Sequence, residues 1–266
     1  MNKLSLYPVL NLPEIEAGCE LGELIYDSIG RCAPEEGDIL VVTHKIISKA
    51  AGLVFNQDQI IPSPLAEKLA AGSKKTSQFA ELILRCSSKV YVCARDIWIS
   101  VRRDGWICCN AGVDQSNAGG ENKAVLLPET CDAFARELSR EISQRLGFDL
   151  PVIVCDTQGR VLREGATGVA VGLFGLSPLR HYVGQEDRDG RVFQSSEEAI
   201  ADELAGAATL LMGQGKEGIP AVLIRGFRWE AACCGSDDLQ RPEDRQLYTI
   251  KGRPFGLENI PENLIT

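Results

Sequence analysis

Phe134, Leu138, Ile142 and Leu146 recur at every fourth position, which lines one face of an α-helix over Cys131–Leu146 with apolar side chains. Gly147 supplies the left-handed stop that such a helix favours. The short apolar run Pro151–Cys155 then reads as a buried strand. A long amphipathic helix leading into a buried strand requires helices and strands to share a core, and the rest of the chain is consistent with that frame.

Glu20–Cys32 has helical spacing at Leu21, Leu24, Ile25 and Ile29, and Ile39–Val42 is a short strand after the turn Glu36-Gly37-Asp38. Ser63-Pro64 forms an N-cap and first helical residue for a helix reaching about Ala71, and a second helix covers about Thr76–Cys86. Strands are expected near Val90–Ala94, Ile97–Arg102 and Trp106–Cys109, with Asp104-Gly105 as a two-residue hairpin turn between the last two. Ala166–Gly175 is a Gly-rich strand suited to close backbone packing. Ser195-Ser196-Glu197-Glu198 should cap a helix running to about Met212. A glycine loop, Gly213–Gly218, and the buried strand Pro220–Arg225 follow. The polar tail after Cys234, with Pro242 and Pro254, is expected to wrap the surface. Without strict βαβ alternation the fold class is α+β with a mixed sheet, neither P-loop nor Rossmann. The chain reads as one unit with room for two subdomains, their boundary unmarked in the sequence.

Bulk properties exclude several function classes. The 266 residues carry a net charge of -9 and no Lys/Arg-rich run, which argues against a nucleic-acid partner. No apolar run approaches the ~20 residues that span a bilayer, and the N-terminus has no signal-peptide core, so a cytoplasmic protein without a membrane partner is expected. Ten cysteines without C-x-x-C pairs, beside only two histidines, fit buried thiols better than a disulfide framework or zinc.

Two segments carry chemistry. Asn110-Ala111-Gly112-Val113-Asp114-Gln115-Ser116-Asn117 and Asp156-Thr157-Gln158-Gly159-Arg160 each place an aspartate and neutral oxygen side chains in an expected turn beside a strand. Asp114, Asp156 and Thr157 offer the oxygen ligands that Mg2+ or Mn2+ takes together with phosphates and water; as plain turn caps the aspartates would need no metal. Gly213-Gln214-Gly215-Lys216-Glu217-Gly218 matches G-x-G-x-x-G, but it follows a helix and precedes a strand, opposite to a dinucleotide fold. It reads either as a phosphate-cradling turn or as a helix stop. Lys45 and Lys49 share a face if their segment is helical, and Arg160 and Arg163 are candidates for anionic substrate groups. No Walker A string and no G-x-S-x-G occur.

In order along nearly the whole chain these strings resemble the coenzyme F-420-0:L-glutamate ligase (F-420 gamma-glutamyl ligase) family. The matching segments are Val41–Ala50, Asn110–Asn117, Asp156–Arg160 with Arg163, Gly165 and Gly168, Ala201-Asp202-Glu203, Leu210–Gly215, Gly218–Val222 and Arg225-Gly226. The resemblance implies a family-specific fold and a homodimer. It also implies GTP-dependent addition of L-glutamate, through an amide bond, to the carboxylate of the deazaflavin F-420-0, with further gamma-glutamyl additions open. Asp114 and Asp156 would hold one Mg2+ or Mn2+, Thr157 and Gln214 a second, with K+ as an additional candidate. Leu12, Pro13, Glu14, Ile15, His44, Lys45, Lys49, Asn117, Met212, Gly213, Gln214, Gly215, Lys216, Glu217, Gly218 and Ile219 would line the nucleotide site. Two positions depart from the family pattern: His44 stands where a small hydroxyl residue is common, and Gln214 where a carboxylate can stand. A ligase acting on another carboxylate, a non-catalytic nucleotide-binding relative and a metal phosphohydrolase are the competing readings.

Overall fold

The computed structural model describes residues 3–92, 97–160, 163–245, 249–250 and 253–254. The chain divides into two compact units, Met1–Ala50 with Thr130–Gln240 and Ala51–Glu129 with Arg241–Thr266.

The first unit contains β1 (Ser5–Pro8), α1 (Leu21–Ile29), β2 (Ile39–Thr43), α2 (His44–Ala50), α5 (Cys131–Leu146), β9 (Val152–Arg160), β10 (Arg163–Phe174), β11 (Arg180–His181), β12 (Glu197–Glu198), α6 (Ile200–Met212) and β13 (Ala221–Arg225). Five of the strands form a mixed sheet in the order β1-β13-β2-β9-β10, in which β2 and β9 are parallel and the other neighbours antiparallel. Both faces are buried, which is why β2, β9 and β13 read as continuous apolar runs rather than alternating ones. Ile39, Val41, Ile153, Cys155, Val222 and Ile224 pack with Ala201, Leu204, Ala205 and Ala208 of α6. Residues of the opposite parity, Leu40, Val42, Val152, Val154 and Leu223, are equally buried, and α5 packs against β9 and β10.

The helix α5 has the expected bounds and ends on Gly147 at φ 82°. Its buried stripe is offset from the expected spine. Phe134 and Leu146 are half-buried, whereas Cys131, Ala135, Leu138, Ser139 and Ile142 are buried. Small side chains let the helix sit close to the sheet; a Cβ built on Gly172 would lie 2.4 Å from that of Cys131. Ser195–Glu198 does not cap α6: Glu197–Glu198 pairs with Arg180–His181, and α6 begins after Ala199 without a side-chain cap. The pairing satisfies those backbone groups in a strand instead.

The second unit contains β3 (Val54–Asn56), α3 (Pro64–Ala70), α4 (Ser77–Cys86), β4 (Ser87–Val92), β5 (Trp98–Arg102), β6 (Ile107–Cys109), β7 (Val113–Asp114) and β8 (Lys123–Leu126), with β14 (Thr249–Ile250) and β15 (Arg253–Pro254). Two three-stranded sheets, β3-β8-β7 and β4-β5-β6, share this unit with a core of Phe79, Leu82, Ile83, Trp98, Ala111, Val113 and Ala124. Ser63 and Thr76 cap α3 and α4 through bonds from Ala66 N and Phe79 N. The β5–β6 hairpin turns over three residues rather than two. Arg102 N bonds Trp106 O at 2.8 Å and Gly105 N returns to Arg102 O at 3.1 Å, with Gly105 at φ 87°. The expected strand over Val90–Ala94 lies at Ser87–Val92; Cys93 and Ala94 are outside the described residues.

Of the nine described cysteines only three are buried, fewer than the sequence leads one to expect, and Cys109 and Cys233 are exposed. Among the described residues no helix is long and apolar enough to cross a membrane. Of the polar tail, Ser236–Leu239 forms a 3-10 turn, with Ser236 bonded to the Asp132 carboxylate.

Candidate active site

Strand register assembles four sequence-predicted segments at one end of the five-stranded sheet. β2 runs parallel to β9 with Thr43 opposite Cys155, so His44 and Asp156 are the next residues at the same end. β13 runs the other way with Ala221 opposite Val42, and Thr43 N bonds Pro220 O at 2.9 Å, so the loop preceding Pro220 arrives there too. β1 climbs beside β13, and Val9 N bonds Ala221 O at 2.9 Å, so Leu10–Ile15 leave from this end. The helix α6 delivers Met212 there, its sulfur 3.7 Å from Cys155 Sγ. Burial and the neighbouring Asp156 carboxylate push the Cys155 thiol pKa strongly upward, so it is packing rather than nucleophile.

Asp156 and Thr157 correct the sequence reading. They lie within β9, Asp156 opposite Val169 and Thr157 opposite Gly168, not in a turn after it. The apolar run stops at Cys155 while the strand continues, because β10 goes on supplying backbone partners past the covered part of the sheet. Asp156 Oδ1 accepts Thr157 N at 2.7 Å and lies 3.4 Å from His44 Nε2. Oδ2 takes no hydrogen bond from the described residues, and the side chain is 16% exposed. Thr157 Oγ1 accepts from Gln214 Nε2 at 2.8 Å, which joins two of the residues expected to share a cation.

His44 is 1% exposed, with Nδ1 3.2 Å from Ser48 Oγ. Ser48, His44 and Asp156 have the composition of a hydrolytic triad, but Ser48 is fully buried and its hydroxyl reaches the His44 carbonyl at 3.0 Å, out of reach of any substrate. Lys45 and Lys49 are half-buried on α2, and Lys49 is ion-paired with Glu14. Gly213 ends α6 at φ 67° and ψ -170°, a conformation open only to glycine, and a Cβ there would strike the Glu217 carboxyl at 2.2 Å. Glu217 turns back so that its carboxylate accepts Gly215 N at 2.8 Å, and an incoming anion at that amide would have to displace it. Gln214, Gly215, Lys216, Glu217 and Gly218 are exposed, with Ile219 half-buried.

Arg160 and Arg163 face each other as the first pair of the β9–β10 hairpin, both exposed. Arg160 donates to the carbonyls of Glu164 and Gly165. Ser48 is the residue sequence reading missed. Nothing but helical spacing from His44 marks it.

Asp114 and Asn117 belong to the second unit. The turn leading to Asp114 holds three successive residues at positive φ, Asn110 (52°), Ala111 (54°) and Gly112 (69°). Such strain persists where surroundings over-determine it. Here Arg102 Nη1 bonds Ala111 O at 2.8 Å and Leu127 N bonds Gly112 O at 3.2 Å. Asp114 then receives Ser116 N on Oδ1 at 2.7 Å and Ser116 Oγ on Oδ2 at 2.8 Å, and Asn117 is left-handed at φ 53°.

The donor set of the first unit suits a hard cation: an open Asp156 oxygen, the Thr157 hydroxyl and the Gln214 amide. Among the described residues no three His, Cys, Asp or Glu side chains gather as a protein-only metal cluster. A bound ion would therefore draw ligands from phosphates and water, as Mg2+ does.

Known proteins match this chain over most of its length. The "F420-0:Gamma-glutamyl ligase" family model matches residues 9–226. A "Coenzyme F420:L-glutamate ligase" from Methanothermobacter thermautotrophicus is 41% identical over 249 residues, covering 92% of this chain and 98% of its own. Its namesake from Methanopyrus kandleri is 41% identical over 227 residues, 85% of this chain and 88% of its own. The Methanosarcina barkeri protein of that name is 39% identical over 250 residues, 92% and 94% respectively. The matched span takes in all four segments at the end of the sheet as well as the Asp114 turn, and by that match the chain belongs to the F420-0:gamma-glutamyl ligase family.

Proposed function

We propose that the protein is a GTP- and divalent-metal-dependent ligase that joins L-glutamate through an amide bond to the carboxylate of the deazaflavin F-420-0. The supporting observation is the convergence, by strand register, of Asp156-Thr157, the α2 lysines, the Gln214 loop and Leu10–Ile15 at one sheet end in a member of this family.

A carboxylate does not condense with an amine at neutral pH, because its oxygen is a poor leaving group. In the proposed reaction the acceptor carboxylate attacks the γ-phosphorus of GTP, GDP leaves, and an acyl phosphate forms. The glutamate amine then attacks the acyl carbon, phosphate departs with the carbon–oxygen bonding pair, and the nitrogen loses a proton. Positioning and charge neutralisation carry such transfers. Lys45 and Lys49 meet the phosphates, with Lys49 exchanging its Glu14 partner for them. Met212–Ile219, Leu12–Ile15 and Asn117 are the nucleotide contacts. Asp114 and Asp156 would hold one divalent cation and Thr157 and Gln214 a second, and such ions would neutralise phosphate charge. Arg160 and Arg163 receive anionic substrate groups. The working form is a homodimer, testable by light scattering.

Mass spectrometry of products from GTP, L-glutamate and F-420-0 tests the reading. The expected product gains one glutamyl residue per GDP released. GDP release that needs neither glutamate nor acceptor would sink it in favour of a phosphohydrolase, and glutamylation of a different carboxylate alone would reassign the acceptor.

A further inference from the structure

His44 is nearly inaccessible, yet both ring nitrogens face polar partners. Nδ1 lies 3.2 Å from Ser48 Oγ, and Nε2 lies 3.4 Å from Asp156 Oδ1. Behind the ring, Ser48 is fully buried one helical turn along α2 and bonded to the His44 carbonyl, so the imidazole is braced from its own helix. In front, Oδ1 is approached from two sides, by the imidazole and by Thr157 N at 2.7 Å, while Oδ2 has no hydrogen bond from the described residues. The carboxylate is thus held by one oxygen and presented by the other. At 1% exposure, the ring is poorly placed to touch a nucleotide itself, which is the role the family resemblance implies.

We propose that His44, anchored by Ser48, is a positioning residue for Asp156: it fixes Oδ1 so that Oδ2 is preset for a divalent cation. This rests on the metal-dependent reading above. Partners that orient a ligating carboxylate commonly change metal affinity by roughly ten- to a hundredfold when removed. The device belongs to this chain's own α2–β9 junction, since it needs an imidazole at the first position of α2, a hydroxyl four residues on, and the parallel register that sets Thr43 opposite Cys155.

Two substitutions separate the ring's two contacts. In His44→Gln the amide nitrogen reaches about as far as Nε2 and keeps a donor toward Asp156. In His44→Asn the amide reaches only as far as Nδ1, keeping the Ser48 contact and losing Asp156. Mn2+ binding to the full chain without nucleotide, read from the electron paramagnetic resonance of free Mn2+, should weaken roughly ten- to a hundredfold in His44→Asn and only about threefold or less in His44→Gln. Binding by His44→Gln as weak as that of His44→Asn, or wild-type binding by His44→Asn, overturns the proposal.

A metal-free measurement tests the contact itself. The chain has only two histidines, and His181 sits in the exposed β11–β12 pairing beside Glu197, so ring-15N labelling gives two spin systems with a built-in control. Asp156→Ala should shift the His44 ring nitrogens and leave those of His181 in place; unmoved His44 resonances overturn the proposal. Wild-type protein that binds no Mn2+ refutes the metal reading and the proposal with it, while the nitrogen shifts still report whether the ring touches Asp156.

Discussion

Arg102 offers the sharpest test of how the Asp114 turn is held. Its side chain is fully buried on β5. Its guanidinium bonds Asp104 through Nε and Nη2, Ala111 O through Nη1 at 2.8 Å, and Pro128 O through Nη2 at 3.0 Å. Burial disfavours its charge, but hydrogen bonds and attraction from Asp104 outweigh this and raise its pKa. Replacing Arg102 with Ala removes the donor to a carbonyl in a left-handed turn and leaves a cavity. Breaking a buried ion pair costs about 3–5 kcal/mol. Asp104 is 26% exposed and can regain water, which puts Arg102→Ala at about 3 kcal/mol, the low end of that range. Arg102→Met restores most of the stem and isolates the polar part, at about 2 kcal/mol. Urea unfolding followed by tryptophan fluorescence in a Trp229→Phe background reports on this unit, because the other two of the three tryptophans, Trp98 and Trp106, lie in it. For an m-value near 3 kcal/mol/M, the Ala variant should shift the midpoint down by about 1 M. Amide exchange at residues 110–117 should accelerate in parallel. A midpoint within about 0.2 M of wild type, or unchanged exchange in the turn, would refute the idea that Arg102 holds it.

Three further outcomes are expected. Asp156→Asn should fold normally by circular dichroism and lose roughly a hundredfold or more in kcat/KM, matching several kcal/mol of lost charge stabilisation; wild-type turnover would remove Asp156 from the site. Gly168→Ala should destabilise by about 2 kcal/mol through overpacking, because its Cβ would lie 2.8 Å from the Ala205 backbone oxygen and 2.5 Å from Thr209 Oγ1, and a melting temperature equal to wild type would contradict this packing. Burial raises the pKa of Asp202, although Ala170 N bonds its carboxylate and acts the other way. The folded state therefore binds that proton more tightly than the unfolded chain, so stability is fullest at low pH and falls as pH rises through the folded pKa. Asp202→Asn, which keeps the acceptor for Ala170 N, should be more stable than wild type at neutral pH, with the gap closing on acidification; a gap independent of pH would contradict the shift.

Periodicity marked what burial dictates, and register lay beyond its reach. α5 could be bounded to the residue because its apolar spacing ends on a glycine that takes the left-handed conformation. β9 was seen only as far as Cys155, since its remaining residues lack the covered faces that make a strand apolar, and so Asp156 was expected in a turn. The bonds that hold those residues extended come from β10. Similarly, Glu197–Glu198 follows serines in a pattern suited to a helix cap but pairs instead with Arg180–His181. The site shows the same division. Asp156, Thr157 and Gln214 could be picked out individually by oxygen chemistry, whereas the His44–Asp156 contact spans 112 positions and depends on β2 and β9 being parallel with Thr43 opposite Cys155. A shift of that register by one residue would turn Asp156 to the other face of the sheet. The core residues on both faces of β2 and β9 make such a slip costly. The packing that makes these strands uninformative apolar runs in the sequence is therefore what aims the carboxylate in the structure.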